Sequence, residues 1–473
     1  MNYRSLARNA GAAFLAQGVA MLLSIVQTLL VPKLLGIEEY GYWQLFLFYT
    51  SYVGFAHLGL NDGVYLVKGG QRRGDVDKRS VASQFAVGIT FQLILAFIII
   101  SVAIAGGFGR DREFVVSCTG IFLVVQNSAY FLMYLLQAMN ETKRSSFSTI
   151  VGRLAFLVPL ISLLVIRCDS YKPFVIAYML SSVVQLAYCA WFCRDFFGSG
   201  LEPLPVAVRQ AVVSVRVGSR LMLANIASQL ILGIARFASD VVWGIEAFGE
   251  FSFAISMVNF FLAFVSQASM VLFPALRQAS PGEVQGFFRN SRDILSLVFP
   301  VVYALYFPMV SLLSLWLPRY ATSFFYFIYL IPICVFDSKM NICCTTFFKV
   351  IREEKKLLLV NVFTCIFSGA VALVGIFVFD SIDVVISGAV ISIILRSLWS
   401  ENYLEKRLEA PSLHGVEAGE LLLTCIFITS AVLLPGYLAF IVYLSAYAVY
   451  LFLFKERLIR VVGKLLNVIS GDI

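Results

Sequence analysis

Ionisable side chains inside long apolar runs are the first residues of this sequence that could do chemistry. Arg236 and Asp240 lie four residues apart in one such run, so they share a face of a helix. A charge near the centre of a membrane-spanning helix costs about 2.5–3.5 kcal/mol on insertion scales. The pair is therefore either an internal ion pair or a cation held by Asp240 on a cavity wall. Asn225 and Gln229 precede Arg236 by eleven and seven residues, roughly on the same stripe, as expected of residues that line a cavity.

Lys339 and Asp337 lie together in a later apolar run. Since they are two residues apart, they point to different faces of a helix and are not expected to pair with each other. Lys339 either extends its ammonium to the membrane surface or binds an anion or takes part in proton transfer. Arg153, about two turns into another run, lines a cavity mouth or reaches the surface in the same way.

His57, Asn61 and Asp62 form a third group near the end of a run, and His57 and Asn61 are one helical turn apart. Histidine changes charge near neutral pH, so His57, Asp62 and also Asp337 are candidates for ion or proton coupling. The alternative for His57 is a structural, hydrogen-bonded histidine. Hydrogen bonds between helices are the simpler explanation for the remaining amides, which are weaker candidates: Gln126, Asn127, Gln137, Asn259 and Gln267.

The sequence contains no pattern typical of an enzyme or a metal site. Nine cysteines and two histidines occur, mostly as isolated residues in apolar runs, and Cys189 and Cys193 do not form a CxxC pair. HExxH, a Walker A motif, Gly-x-Ser-x-Gly and paired intramembrane carboxylates are all missing. We therefore expect neither catalysis nor a cofactor or metal. Because no basic run lies outside the short loops, we also expect no nucleic-acid partner.

The elements that position these residues must be membrane-spanning helices. The chain of 473 residues is 60% hydrophobic and only 14% charged, against about 25% charged residues in soluble domains. Runs of about 20 apolar residues predict an all-α integral membrane protein with about 14 spans. The first run is too long for a cleavable signal peptide. The predicted spans are 10–31, 42–66, 82–106, 114–138, 147–166, 173–193, 219–242, 248–274, 294–317, 323–348, 358–379, 382–400, 418–434 and 437–454.

The basic residues alternate loop by loop. If the N-terminus is cytoplasmic, 28 of the 36 Lys and Arg residues lie on or beside the cytoplasmic side and seven on the other, with Lys339 left inside a helix. Cytoplasmic loops of membrane proteins carry this excess, so the pattern predicts cytoplasmic N- and C-termini and supports the helix count. All loops are short, so no extramembrane domain is expected.

A short internal repeat indicates two similar halves. Gly36-Ile-Glu-Glu-Tyr-Gly41 matches Gly244-Ile-Glu-Ala-Phe-Gly249 at an offset of 208 residues, each after the first helix of a six-helix block. Six is even, so the blocks share an orientation and form a parallel repeat, with a substrate site expected between the halves. The predicted domains are a six-helix bundle over 1–200, a second over 201–410, and two extra helices with a cytoplasmic tail over 411–473.

The segment from Gly36 to Val67 resembles the N-terminal signature of polysaccharide-biosynthesis flippases, which belong to the multidrug/oligosaccharidyl-lipid/polysaccharide exporter superfamily. The Glu-Tyr-Gly turn, the aromatic helix after it and Leu58-Gly-Leu-Asn-Asp-Gly63 carry the match. Two six-helix halves extend the resemblance over the rest of the chain.

The resemblance implies two helical bundles in a V that alternate between inward-open and outward-open states. It implies a cargo of undecaprenyl-diphosphate-linked oligosaccharide repeat units, moved from the cytoplasmic to the periplasmic leaflet of a bacterial inner membrane. Surface polysaccharide such as O-antigen, capsule or exopolysaccharide would be the product, and membrane lipid, a polymerase and a chain-length regulator the partners. Cationic side chains suit a diphosphate, and Arg236, Lys339 and Arg153 are the candidates.

Two other classes of protein remain open. A cation-coupled small-molecule or multidrug exporter on the same scaffold would need an acidic cavity residue, for which Asp240 or Asp337 could serve. A membrane glycan polymerase or ligase would need a sizeable periplasmic loop, and the sequence has none.

Overall fold

The computed structural model describes residues 18, 23–278, 280–411 and 414–459, and these form an all-helical protein without strands. Ten described helices are long and apolar enough to span a membrane, or eleven if one bent pair counts as a single span. The helices are α1 (Leu23–Leu34), α2 (Ile37–Val53), α3 (Leu60–Lys68), α4 (Lys78–Ala105), α5 (Arg110–Ala138), α6 (Thr142–Val165), α7 (Tyr171–Phe192), α8 (Leu204–Gln278), α9 (Pro281–Val298), α10 (Val301–Trp316), α11 (Ala321–Leu330), α12 (Pro332–Lys339), α13 (Glu354–Phe377), α14 (Ile382–Arg407), α15 (His414–Leu433) and α16 (Gly436–Leu453).

Each predicted span from the second to the fourteenth coincides with a described helix or pair of helices. The first, 10–31, lies mostly outside the described residues, which include only its last part in α1. The second is divided into α2 and α3. The seventh and eighth join as α8, which is interrupted only at Gly244, and the tenth divides into α11 and α12. The predicted all-α multi-pass membrane fold is confirmed.

The chain forms two compact units, residues Met1–Ile226 and Ala227–Ile473, with the boundary inside α8. The domain limits near 200 and 410 that the sequence suggested stay predictions.

Side-chain contacts in the first unit join alternate helix ends, as a bundle that crosses the membrane back and forth requires. At one end, Arg73 hydrogen-bonds Glu141 at 2.8 Å and also binds Asp195, which joins three connecting segments. At the opposite end, Glu39 accepts a 2.7 Å hydrogen bond from the Tyr171 amide, and the Tyr171 hydroxyl donates to Asp111 at 3.0 Å. These contacts support the predicted alternation of loops in this unit.

The break between α2 and α3 places polar groups in the interior of the first unit. The chain turns through Leu58 and Gly59, which have φ of 53° and 89°, a left-handed conformation that ends a helix. The Val53 carbonyl, at the end of α2, accepts a 2.8 Å hydrogen bond from the side-chain amide of Asn127, which is fully buried. Asn61 donates to the Asn127 carbonyl at 3.2 Å. Asn127 is thus a structural link between helices.

Glycines bring α3 against the start of α8. A Cβ at Gly63 would lie 1.9 Å from the Ser214 carbonyl oxygen, and one at Gly218 would lie 2.0 Å from the Gly59 carbonyl oxygen. Only residues without a side chain permit backbones to approach this closely.

The two halves of the sequence repeat begin helices in the same way. Gly36 caps the start of α2 in an extended conformation, and Gly244 (φ 87°, ψ −178°) interrupts α8 before the helix resumes. Tyr40 and Phe248, at matching positions, are both fully buried. The repeated motif therefore restarts a helix and anchors it with a buried ring.

In the second unit, the last helix covers a break between α9 and α10. Pro300 has no amide hydrogen, so the Ser296 carbonyl loses its usual helical donor. The Tyr450 hydroxyl donates to this carbonyl at 3.0 Å, and Tyr447 and Tyr443 donate to the carbonyls of Leu297 and Pro300 at 2.8 and 2.6 Å. One face of α16 thus supplies three hydroxyl donors to the break.

Large apolar side chains remain on the outside of the helices, such as Phe377 (80% exposed) and Leu315 (82%). Lipid, as the surrounding solvent, accommodates them. The nine cysteines are free thiols, and six of them are buried, including Cys189 and Cys193.

Candidate functional site

A polar cavity of about 420 Å³ lies inside the first unit. One face of each of α5, α6 and α7 lines it, with residues three, four or seven positions apart, together with two residues of α1. The lining residues are Leu23, Gln27, Gln126, Tyr130, Met133, Tyr134, Thr149, Gly152, Arg153, Phe156, Tyr178, Ser181, Ser182 and Gln185. We call this the Arg153 cavity.

Among the described residues of that lining, Arg153 is the one that carries a charge. Its side chain is half-buried, and among the residues that the structure describes it makes no hydrogen bond or ion pair. The charged or polar groups that act on it electrostatically are the phenols of Tyr130 and Tyr178. A guanidinium carries five donors in a planar fork that suits carboxylate and phosphate oxygens. The site therefore presents an uncompensated cation to whatever enters the cavity.

Amides, hydroxyls and aromatic rings surround this cation. Tyr130 and Tyr134 stack with ring centroids 6.3 Å apart, and Tyr178 packs against the ring of Phe156. Gly152 allows α6 to approach Gln185 of α7, because a Cβ there would meet the Gln185 side chain at 3.2 Å. A smaller cavity of about 240 Å³ shares Gln126, Tyr130 and Tyr178 and continues toward the end of α2. Such a mixture of rings and a few placed polar groups is typical of small-molecule sites.

Of the candidates from the sequence, Arg153 and the weaker candidate Gln126 line this cavity, whereas His57 and Asp62 lie at the break between α2 and α3. His57 Nε2 is 3.7 Å from Asp62 Oδ2, and His57 Nδ1 accepts a hydrogen bond from the Gly59 amide at 2.9 Å. Tyr134, on the cavity wall, is close enough to Asp62 to interact with it electrostatically.

The four candidates around Arg236 all lie on α8, but two of them are held in the protein interior and two are exposed. Arg236 donates to the Ser252 hydroxyl at 3.0 Å and stacks over the Phe248 ring, and Asp240 is buried. Asn225 and Gln229, by contrast, are exposed. Arg236 is therefore held within its own unit, and its role in binding stays a prediction.

Lys339 and Asp337 do not pair with each other, as their spacing predicts. Asp337 binds Arg396 and accepts a 3.2 Å hydrogen bond from Asn341. The Lys339 ammonium is fully buried between Glu401 and Glu420. It neither lines the Arg153 cavity nor extends to the surface.

Sequence reasoning missed most of the cavity wall. Gln185, Ser181, Ser182 and Tyr178 recur on one face of α7, and that helical spacing of polar residues in an apolar run was the available signal. It also missed the partners of Lys339, because Glu401 and Glu420 are distant in sequence. No group of three or more metal-ligating side chains occurs among the described residues.

Comparisons with known proteins agree with this architecture. A family model described as "Polysaccharide biosynthesis protein" matches residues 6–280, and no curated protein sequence shows significant similarity. An inward-facing multidrug resistance MATE family transporter of the MOP superfamily is similar with a TM-score of 0.59 at 14% identity, over 82% of this chain and 98% of that one. The lipid II flippase MurJ, in an inward closed conformation, gives 0.58 at 11% identity, over 95% and 99%. At such identities these structures establish the fold alone.

Proposed function

This chain belongs to the polysaccharide biosynthesis protein family, and from that premise we propose that it is a flippase for lipid-linked oligosaccharides. Its cargo is an oligosaccharide repeat unit joined through diphosphate to undecaprenyl. It moves this cargo from the cytoplasmic to the periplasmic leaflet of the bacterial inner membrane by alternating access, for surface polysaccharide synthesis. A polysaccharide polymerase and a chain-length regulator are the expected partners.

The observation that carries this proposal is that Arg153 lines a polar intramembrane cavity and makes no ion pair or hydrogen bond with the described part of the chain. A cation at membrane depth is costly, so one left without a protein carboxylate is best explained by an anionic ligand. A diphosphate can accept paired hydrogen bonds from a guanidinium. Arg153 also lies within the residues that the family model matches.

The rest of the cavity wall suits the sugar part of such a cargo. Gln27, Gln126, Gln185 and two serines offer donors and acceptors, and the tyrosine rings offer flat surfaces. The undecaprenyl chain can stay in the bilayer, where its hydrocarbon is already solvated.

A cation-coupled small-molecule or multidrug exporter is the alternative on the same scaffold. A cationic drug calls for an acidic cavity residue, but no acidic side chain occurs among the described residues that line the Arg153 cavity. Asp337 is already bound to Arg396. These contacts favour an anionic cargo.

The test is complementation of a deletion strain without a redundant flippase, read out as surface glycan and as lipid-linked repeat units by mass spectrometry. Arg153→Ala removes charge-assisted hydrogen bonds worth about 1.5–3 kcal/mol, so we expect transport to fall by about 10- to 100-fold with cytoplasmic accumulation of the full-length intermediate. Arg153→Lys retains the charge and should retain part of the activity.

Arg144→Ala is the matched control, because Arg144 lies on the same helix but is exposed and paired with Glu141. It should transport normally. Normal glycan without lipid-linked accumulation in the deletion strain would reject the flippase. Loss of drug resistance in that strain would then favour the exporter.

A further inference from the structure

Five charged side chains meet in the interior of the second unit. They come from α9, α12, α14 and α15, and each is at most 8% exposed. We call them the ion cluster: Arg292, Lys339, Glu401, Glu405 and Glu420.

The contacts of the ion cluster place two carboxylates on one ammonium. Lys339 Nζ lies 2.7 Å from Glu420 Oε2 and 2.9 Å from Glu401 Oε2. Arg292 forms its short ion pair with Glu405, at 2.7 Å, and lies 3.7 Å from Glu401. Neither oxygen of Glu401 accepts a well-oriented hydrogen bond from the described residues.

The charges of the ion cluster do not balance. Three carboxylates face two cations, which leaves one negative charge in a buried site if every group is ionised. Two charge pairs adjoin the cluster, Asp337 with Arg396 and Asp293 with Arg457, and each is neutral by itself. Glu417, one turn before Glu420, makes an interaction of its own. An isolated excess charge in such a place is far more costly than a neutral carboxylic acid.

Among the residues that the structure describes, the other groups that act on the cluster are hydroxyls and thiols, which are uncharged near neutral pH and cannot cancel the excess. They come from α9, α10, α16 and the segment after α12. These groups are Ser296, Tyr303, Cys343, Cys344 and Tyr450.

We propose that the ion cluster binds one exchangeable proton, shared between Glu401 and Glu420 across the Lys339 ammonium. A proton from water converts one carboxylate into a carboxylic acid, which makes the cluster neutral and leaves Lys339 paired with the other. A metal cation would have to displace the ammonium that already occupies the space between the two carboxylates. A proton needs no such space.

The position of the two glutamates gives the proton a short route. Glu401 lies six residues before the end of α14, and Glu420 six residues after the start of α15, so both are near one end of their helices. Ser397 and Ser400 are buried beside Glu401, and their hydroxyls have no hydrogen-bond partner within the described part of the chain. Both serines precede Glu401 and so lie on the side away from that end, where hydroxyls free to donate and accept can pass a proton from Glu401 further into α14.

Exchange of this proton would couple a pH gradient to the transport cycle. That coupling rests on the proposed function, whereas the proton site does not, so the test uses the purified full-length protein without substrate. The infrared carbonyl stretch of protonated carboxylic acids is recorded between about pH 5 and about pH 9, where buried carboxyl groups titrate.

We expect wild type to show a carboxylic-acid band that disappears as the pH rises, and Glu420→Gln and Glu401→Gln each to lose it. The double variant Asp293→Asn with Arg457→Gln is the matched control, because it removes a buried carboxylate beside the cluster together with its own cation and so leaves the charge balance of the cluster unchanged. It should keep the band. A wild-type spectrum without such a band, or a band that both glutamine variants retain, would overturn the proposal.

Thermal unfolding gives a second readout. If the folded cluster binds a proton that the unfolded chain does not, stability falls as pH rises through the titration. The melting temperature of wild type should therefore fall toward about pH 9. That of Glu420→Gln, in which the cluster is neutral without a proton, should change much less. If the melting temperature of Glu420→Gln lay below that of wild type by the same amount at every pH, the cluster would be a fixed ion-pair network without an exchangeable proton.

Discussion

Charged residues that occur in similar apolar runs have different environments in this protein. The side chains that contact each charge determine its role. Arg153 and Lys339 both occur in apolar runs. Arg153 has no counter-charge among the described residues and lines a cavity, so it can bind an anion. Lys339 has two carboxylates and no exposure, so it joins helices through ion pairs and lies between the two glutamates that we propose share a proton.

Outside the membrane-spanning segments, the ion pairs of Asp195 contribute to the stability of the folded state. Hydrogen bonds from Arg73 lower the pKa of Asp195 to about 2, and Lys78 lies 2.8 Å away. A carboxyl with a lowered pKa stabilises the folded state above its ordinary pKa and loses that contribution as pH falls through about 4 to about 2.

We therefore expect Asp195→Asn to reduce the free energy of unfolding at neutral pH by about 1 kcal/mol, since the group is partly exposed and screened. The difference from wild type should vanish on acidification toward about pH 2. Melting temperatures of the detergent-solubilised protein against pH measure it, with Asp75→Asn, an exposed aspartate of a nearby loop, as control. A difference that persists unchanged in acid would contradict this account.

Between helices, close backbone contact positions α3 and hence Asp62. Gly63→Ala places a Cβ against the Ser214 carbonyl oxygen, and overpacking of this kind costs about 1–3 kcal/mol. Gly286→Ala in α9 meets open space and should be neutral or stabilising by up to about 1 kcal/mol. Thermal unfolding of the two variants compares them, and equal stability would show that α3 can move away from α8 at no cost.

The three tyrosines of α16 stabilise the break between α9 and α10. Tyr450→Phe leaves the Ser296 carbonyl without a donor, so we expect a loss of about 1 kcal/mol in the free energy of unfolding. Tyr443→Phe and Tyr447→Phe should each cost a similar amount. Tyr437→Phe, on the same helix but 69% exposed, is the control and should be neutral. Thermal unfolding measures the losses, and no loss in any of the three variants would contradict the structural role.

In the chain as a whole, each unit has its own interior, and α15 and α16 complete the second. Removal of residues 412–473 would take Glu420 from Lys339 and Arg457 from Asp293, and each charge left facing lipid costs about 2.5–3.5 kcal/mol. We expect the truncated chain to expose protease sites after residue 227 while the first unit stays protected, as limited proteolysis with mass spectrometry would show.

Co-expression of 412–473 as a separate segment is the matching rescue, because preformed membrane helices can associate. Restored protection of the second unit would support the role of these helices. Equal protection of both units in the truncated chain would refute it.

The amino-acid sequence alone was enough to predict a multi-pass, all-α membrane protein. Three features depend only on neighbours along the chain: runs of about 20 apolar residues, the alternation of basic loops and the Gly36–Gly41 repeat. Apolar runs of that length form helices in lipid, because a helix satisfies its own backbone hydrogen bonds. The described helices and the family match agree with that reading. The division of the second span, by contrast, follows from left-handed turns at Leu58 and Gly59 that hydropathy does not register.

The cavity and the ion cluster depend on contacts between distant segments. Lys339 and Glu420 are 81 residues apart, and the wall around Arg153 comes from four helices. Hydropathy reports that a charge lies at membrane depth, but its energy there depends on which other side chains pack against it. For that physical reason, only folding in three dimensions decided that Arg153 lines a cavity without a counter-charge from the described residues and that Lys339 belongs to a buried cluster.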